Sequence, residues 1–271
     1  MRSRSTIAVT TALVVGFAGL AAVTPPATAG PAAAPAIVGG NKAPEGSWPS
    51  IAVLAERRGS AENTAFCGGT LIHPRWVITA AHCLQGESAR SMRIYLGRTK
   101  LSDSGGERIR VRKLVRHNWK PRNDRNDIAL VKLRNRSSQP VMPMLARDQG
   151  AAYEAGFPAQ IAGWGATRPN GRGAPNRLKQ ADVQMIAHRA CNSAYGGIKE
   201  KRQVCAGLWP RGGVDSCSGD SGGPLTVTNN RGQPLLAGIT SFGGNRCAAK
   251  RQPGVYTKVA AYQRWIERKI N

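Results

Sequence analysis

Between residues 40 and 255 the apolar and polar positions rarely follow a helical period. Short apolar stretches separated by turn-forming clusters predict many short strands there. Trp76–Thr79 reads as a buried strand and Ile128–Leu133 as an alternating one. A helical period returns at the C-terminus, where Tyr262, Trp265, Ile266 and Ile270 predict an amphipathic helix over about 259–270, packed on the surface. Composition agrees, because 32 glycines and 17 prolines with only 6% aromatic residues suit strands and turns. The class expected is all-β. The 271 residues suffice for one large domain or two compact halves.

The N-terminus departs from this pattern. Arg2 and Arg4 precede a mostly apolar run, Ile7 to Val23, and Ala27-Thr28-Ala29 offers a small-x-small cleavage pattern. We read residues 1–29 as a signal peptide and expect a secreted, extracellular protein. A membrane anchor fits less well, since Thr10 and Thr11 interrupt the run and Pro25-Pro26 ends it. Six cysteines suit export and three disulfides, for which 15 pairings exist. No C-x-x-C occurs and the four histidines are scattered, so neither a metal site nor a cofactor is expected. Lys+Arg number 39 against 15 Asp+Glu, a net charge of +24 that falls to +22 without the leader. A solvated basic surface is the preferred account, with nonspecific adsorption to polyanions as the sharper alternative.

Candidate chemistry concentrates in Asp215–Gly223, which reads D-S-C-S-G-D-S-G-G. Ser221 sits there in a Gly-rich turn, and a serine hydroxyl needs a base and an oxyanion stabiliser to act as a nucleophile. Among the histidines, His82 follows the buried strand and the small pair Ala80-Ala81, and Cys83 ties it down. His73, His117 and His188 read as surface or structural residues. Asp127, at the entrance of the alternating strand, is placed for burial, whereas Asp124 reads as solvated.

Six segments in order, Ile37–Gly40, Thr79–Cys83, Asp127–Leu130, Gly163-Trp164-Gly165, Gly219–Pro224 and Pro253–Tyr256, carry a resemblance. Over residues 37–271 the chain resembles a trypsin-type member of the chymotrypsin family of serine endopeptidases, most like secreted bacterial trypsins. The resemblance implies two packed antiparallel six-stranded β-barrels, about 37–150 and about 151–255, with the active site between them. It implies a triad of His82, Asp127 and Ser221, an acyl-enzyme on Ser221, and an oxyanion hole from the N–H groups of Gly219 and Ser221. Asp215 would lie at the base of the primary pocket, with Gly243 and Gly254 on its walls, selecting Arg or Lys. Ser241 would support Asp127 and pair with the substrate backbone. Phe242 replaces a common Trp and Ser218 a longer polar residue, which bears on subsites beyond the first. The implied disulfides are Cys67–Cys83, Cys191–Cys205 and Cys217–Cys247.

The resemblance also implies a zymogen. Cutting at Ala36–Ile37 would free an α-amino group to insert beside Asp220, making residues 30–36 a propeptide. Ala36 is not a residue that an Arg/Lys-selective enzyme would cut after, so a separate activating protease is expected, the alternative being signal peptidase acting at Ala34-Pro35-Ala36, far from the apolar core of the leader. The loop Gly97–Asp103 carries Arg98 and Lys100 where calcium would need oxygen ligands, so no calcium is expected there. Proteins with Arg or Lys at the cleaved bond would be substrates, protein protease inhibitors would be partners, and a monomer is expected. A binding protein without catalysis is the rival class. The presence of all three triad residues favours the enzyme.

Overall fold

The computed structural model describes residues 37–120 and 126–271. The expected leader (1–29), the expected propeptide (30–36) and Asp124 lie outside the described residues. The strands of the first half are β1 (Asn41–Lys42), β2 (Ile51–Glu56), β3 (Ala65–His73), β4 (Trp76–Thr79), β5 (Met92–Leu96), β6 (Glu107–Arg116) and β7 (Ala129–Leu133). Those of the second half are β8 (Pro158–Gly163), β9 (Lys179–Ile186), β10 (Gln203–Gly207), β11 (Pro224–Thr228), β12 (Pro234–Phe242) and β13 (Gly254–Lys258).

Strands β2-β3-β4-β7-β6-β5 close into an antiparallel barrel. In the second half the order β9-β10-β13-β12-β11-β8 closes through a β8–β9 pairing, and the short β1 adds to the outside of β9. The architecture is therefore the expected pair of six-stranded antiparallel barrels. Closure removes the unpaired edges that short strands otherwise expose.

The pleat is legible in β6, where Ile109 and Val111 are buried while Arg108, Arg110 and Arg112 are exposed. The alternation expected for Ile128–Leu133 is not realised. Ile128 to Val131 and Leu133 are all buried, and Lys132 alone is half-exposed. The buried cluster of the first barrel extends to Leu236, Ile239, Tyr262 and Ile266, so it is covered outside as well as filled inside.

Two helices escaped the sequence pattern, α1 (Ala61–Thr64) and α2 (His188–Tyr195). Helix α2 buries only Cys191, which is bonded to Cys205 in β10, and one buried position leaves no period to read. The C-terminal helix also starts later than its apolar spacing suggests. Val259–Tyr262 is a 3-10 turn, and α3 spans Gln263–Ile270. His117 packs edge-on against Tyr262 and Trp265, with ring centroids 5.2 and 5.0 Å away, as a structural residue. The other disulfides join Cys67 to Cys83 and Cys217 to Cys247. Among the described residues no helix is long and apolar enough to cross a membrane.

Candidate active site

His82 opens a 3-10 turn (His82–Leu84) directly after β4, behind the fully buried Ala80 and Ala81. Strand β4 pairs with β7 through Thr79 and Ala129, and this register brings Asp127 beside His82. The His82 main-chain N–H donates to Asp127 Oδ1 at 2.9 Å, and its ring Nδ1 lies 2.8 Å from Oδ2. Ser241 Oγ donates to the same Oδ2 at 2.6 Å. An ionised carboxylate only accepts, so Nδ1 carries the proton and Nε2 is left as the basic nitrogen. Ser241 comes from the second barrel. The β12–β13 register slips between Thr240 and Phe242, and the bulge re-aims the intervening side chain.

The loop Asp215–Gly223 meets this assembly across the seam between the barrels. Gly68 of β3 donates its N–H to the Ser221 carbonyl at 2.8 Å. A Cβ on Gly222, whose φ is +79°, would lie 2.1 Å from Thr79 Oγ1 and 2.5 Å from the Gly68 carbonyl oxygen. The Asp215–Gly223 loop thus lies directly on the residues leading into His82. Gly219 also has positive φ (+96°), and a Cβ there would press on Gly165 Cα at 3.1 Å.

Asp220 turns inward, accepting the N–H of Gly165 at 2.7 Å and of Cys217 at 2.9 Å. Any Cβ on Gly163 or Gly165 would come within 2.0 or 2.4 Å of its side chain. The Gly163-Trp164-Gly165 segment is therefore the hollow that admits the Asp220 carboxylate. Sequence reasoning used that segment only as a likeness and missed this role, although two glycines around an aromatic residue were the available signal.

Residues 37–266 match the protein family described as Trypsin. The chain belongs to the trypsin family. Serine protease 56 of Mus musculus is 34% identical over 241 residues, covering 87% of this chain. The chain spans 39% of the length of that curated relative. Among solved structures, mouse neuropsin, titled a serine protease expressed in the limbic system of mouse brain, superposes with a TM-score of 0.71. It is 32% identical, with 86% of this chain and 99% of that one covered.

A cavity of about 190 Å³ is lined by Asp215, Ser218, Ser221, Ser241, Phe242 and Gly243, among others. Asp215 is 2% exposed. Its Oδ2 accepts the Ala248 N–H at 3.2 Å, while Oδ1 has no hydrogen-bond partner among the described residues. Burial pushes the carboxyl up to about 7 against the opposing hydrogen bond from the Ala248 main chain. A Cβ on Gly254 would stand 2.6 Å from the unpartnered oxygen, so that glycine keeps it clear. Phe242 is braced edge-on by Tyr195, with centroids 5.6 Å apart.

Burial likewise pushes Asp220 up to about 6. Ile37 is fully buried in the cluster of the second barrel, and Val38 bridges to Asp215. Among the described residues no hydrogen bond or ion pair links Ile37 to Asp220. Ile37 has φ of +45°, a left-handed conformation that a β-branched residue adopts only under strain. Of the metal-ligand types, Cys67, His82 and Cys83 lie close together, but their sulfurs are spent on one disulfide. In the loop Gly97–Asp103 the Arg98 guanidinium donates to the carbonyls of Leu101 (2.8 Å) and Gly105 (3.1 Å), so a cation already satisfies those oxygens.

Proposed function

We propose that this protein is a secreted serine endopeptidase that cleaves after Arg and Lys and is made as a zymogen. The observation that carries the reading is the buried, unpartnered Oδ1 of Asp215 in a cavity that Ser221 also lines. A buried carboxylate oxygen without a partner is costly, and a substrate guanidinium or ammonium supplies the missing charge-assisted bond.

Ser221 Oγ attacks the scissile carbonyl carbon while His82 Nε2 takes its proton. The N–H groups of Gly219 and Ser221 hold the oxyanion, each donor contributing about 3 kcal/mol. Collapse breaks the C–N bond, His82 returns the proton to the leaving amine, and the acyl group remains on Ser221. Water then repeats the sequence and releases the acid. Asp127 holds the ring tautomer and stabilises its cation, and Ser241 steadies Asp127.

Residues 1–29 act as signal peptide, 30–36 as propeptide and 37–271 as the peptidase domain, its barrels covering about 37–150 and 151–255. A cut at Ala36–Ile37 by a separate protease frees the Ile37 ammonium, which pairs with Asp220 in the active form. The same cut removes the peptide that defines φ of Ile37 and with it the left-handed strain. The mature enzyme works as a monomer without a metal, acts on proteins and is open to protein protease inhibitors. Secreted bacterial trypsins remain the relatives we expect to share the Ala/Pro propeptide.

Two measurements test this reading. A fluorophosphonate probe should label the cut protein and fail to label Ser221→Ala. Matched Arg, Lys, Phe and Ala reporter substrates should then separate by at least two decades in favour of Arg and Lys, on the order expected for a paired buried charge. Equal hydrolysis of all four would remove the specificity claim.

A further inference from the structure

We infer that an arginine-lined cavity on the first barrel, remote in sequence from the catalytic loop, binds a tetrahedral oxyanion carried as a phosphate or sulfate group on a linear polymer. The cavity measures about 220 Å³ and is lined by Arg57, Arg90, Arg93, Arg110 and Arg134 around an apolar floor of Ala89 and Val111. No carboxylate lines it.

The five guanidiniums are assembled by the sheet. Arg93 of β5 stands directly opposite Arg110 of β6, and the Arg134 N–H donates to the Arg110 carbonyl at 2.8 Å. Arg57 follows β2, its N–H bonded to the Ser91 carbonyl at 2.7 Å. Like charges directly opposite in an antiparallel pair are destabilising, and a bound anion reverses the sign of that contact. Burial and the neighbouring guanidiniums of Arg108, Arg57 and Arg110 hold the Arg93 side chain below its ordinary pKa.

The nearby acids do not relieve this crowding. Glu107 accepts bonds from Ser137 and Ser138, Glu87 accepts from Ser91, and Glu56 is exposed at the end of β2. Among the described residues Arg177 and Glu45 form the single Lys/Arg–carboxylate ion pair, and it lies elsewhere. Arg93 donates to the Met92 carbonyl and Arg108 to Tyr95 and the Arg57 carbonyl, whereas the side chains of Arg57, Arg90, Arg110 and Arg134 have no such bond among the described residues.

Geometry favours the tetrahedral anion. A carboxylate offers two oxygens in one plane, which satisfies one or two guanidinium forks. A phosphate or sulfate ester offers oxygens in three directions, and here forks converge from four separate segments. The charge also continues along the exposed face of β6, where Arg108, Arg110 and Arg112 repeat about every 7 Å. A polymer can follow that row after seating one group in the cavity.

The test titrates the purified full chain with inorganic polyphosphate, heparin and poly-L-glutamate at one fixed ionic strength. The double variant Arg93→Gln/Arg110→Gln is compared with Arg264→Gln/Arg268→Gln on exposed α3, which removes the same charge. Loss of two charge-assisted contacts should weaken polyphosphate or heparin about a hundredfold, against less than about threefold for the control. The polymer that suffers the loss identifies the carrier as phosphate or sulfate, and loss with both supports the oxyanion group itself. Equal weakening by both double variants reduces the effect to diffuse charge and overturns the inference. So does poly-L-glutamate binding as tightly, with the same loss at the cavity. Arg110→Lys keeps the charge and removes the fork, so it tests the site even if the double variant folds poorly. It should cost at least about threefold, and no change would count against the proposal.

Discussion

Two regions of the site hold buried carboxylates in opposite conditions. On the first barrel both oxygens of Asp127 are engaged, by the His82 main chain, the His82 ring and Ser241. On the second barrel Asp215 keeps one oxygen unpartnered, and Asp220 is held only by two main-chain N–H groups. Burial raises both of the latter carboxyls, to about 7 and about 6. Hydrogen-bond donors built into the fold complete the first region. The second is left short of positive charge, which under the proposed function a substrate side chain and the freed Ile37 N-terminus would each supply.

The contrast can be broken most severely at Asp127. Asp127→Asn should lower kcat about ten-thousand-fold for Arg and Phe reporters alike, because it spoils the tautomer of His82 whatever the substrate. Asp215→Ser should act on selectivity instead, cutting the Arg-over-Phe ratio in kcat/KM by about two to four decades. Unchanged selectivity would remove Asp215 from the role assigned to it.

Acid titration sharpens the comparison through Asp220. An unfolded Asp titrates near 4 and native Asp220 near 6, so the native state holds the extra proton between them. Stability of the uncut protein should therefore fall by about 3 kcal/mol as pH rises through that window. In the cut protein the Ile37 ammonium favours the carboxylate and this contribution should vanish. Urea unfolding of cut and uncut Ser221→Ala across pH measures the difference, in which the share from Asp215 cancels, and identical slopes would contradict the pairing. Benzamidine, a cationic probe of the pocket, should lose affinity about tenfold per pH unit below about 7, where Asp215 takes up its proton. The smallest effect expected is none. Millimolar-range calcium should leave the melting temperature unchanged, because Arg98 already satisfies the loop carbonyls.

Much of this was legible in the chain because the site is built from short motifs whose chemistry is local. Asp215–Gly223 could be read as a nucleophile turn, and His82 stood out by the buried strand before it. Other parts were not legible because they depend on pairing register. The support of Asp127 by Ser241 was expected from the family resemblance, but the bulge between Thr240 and Phe242 that delivers it is announced by no residue type. The full burial of β7 depends on covering from outside its barrel, which an alternating pattern cannot report. Helix α2 has one buried side chain and a disulfide in place of an apolar face. The arginine cavity was hidden for the same reason, since its members are spread from Arg57 to Arg134 and only the sheet collects them.

The seam at Gly68, Gly222 and Gly223 has a mechanical consequence. There the barrels touch main chain to main chain, and a Cβ on Gly68 would meet Gly223 Cα at 3.0 Å. Side chains can shift between rotamers and so act as soft spacers, whereas a backbone contact has almost no compliance. The spacing between the segment before His82 and the loop of Ser221 is thus set by a hard stop. Thermal motion of the two barrels should translate into rotation about that stop more than into separation across it.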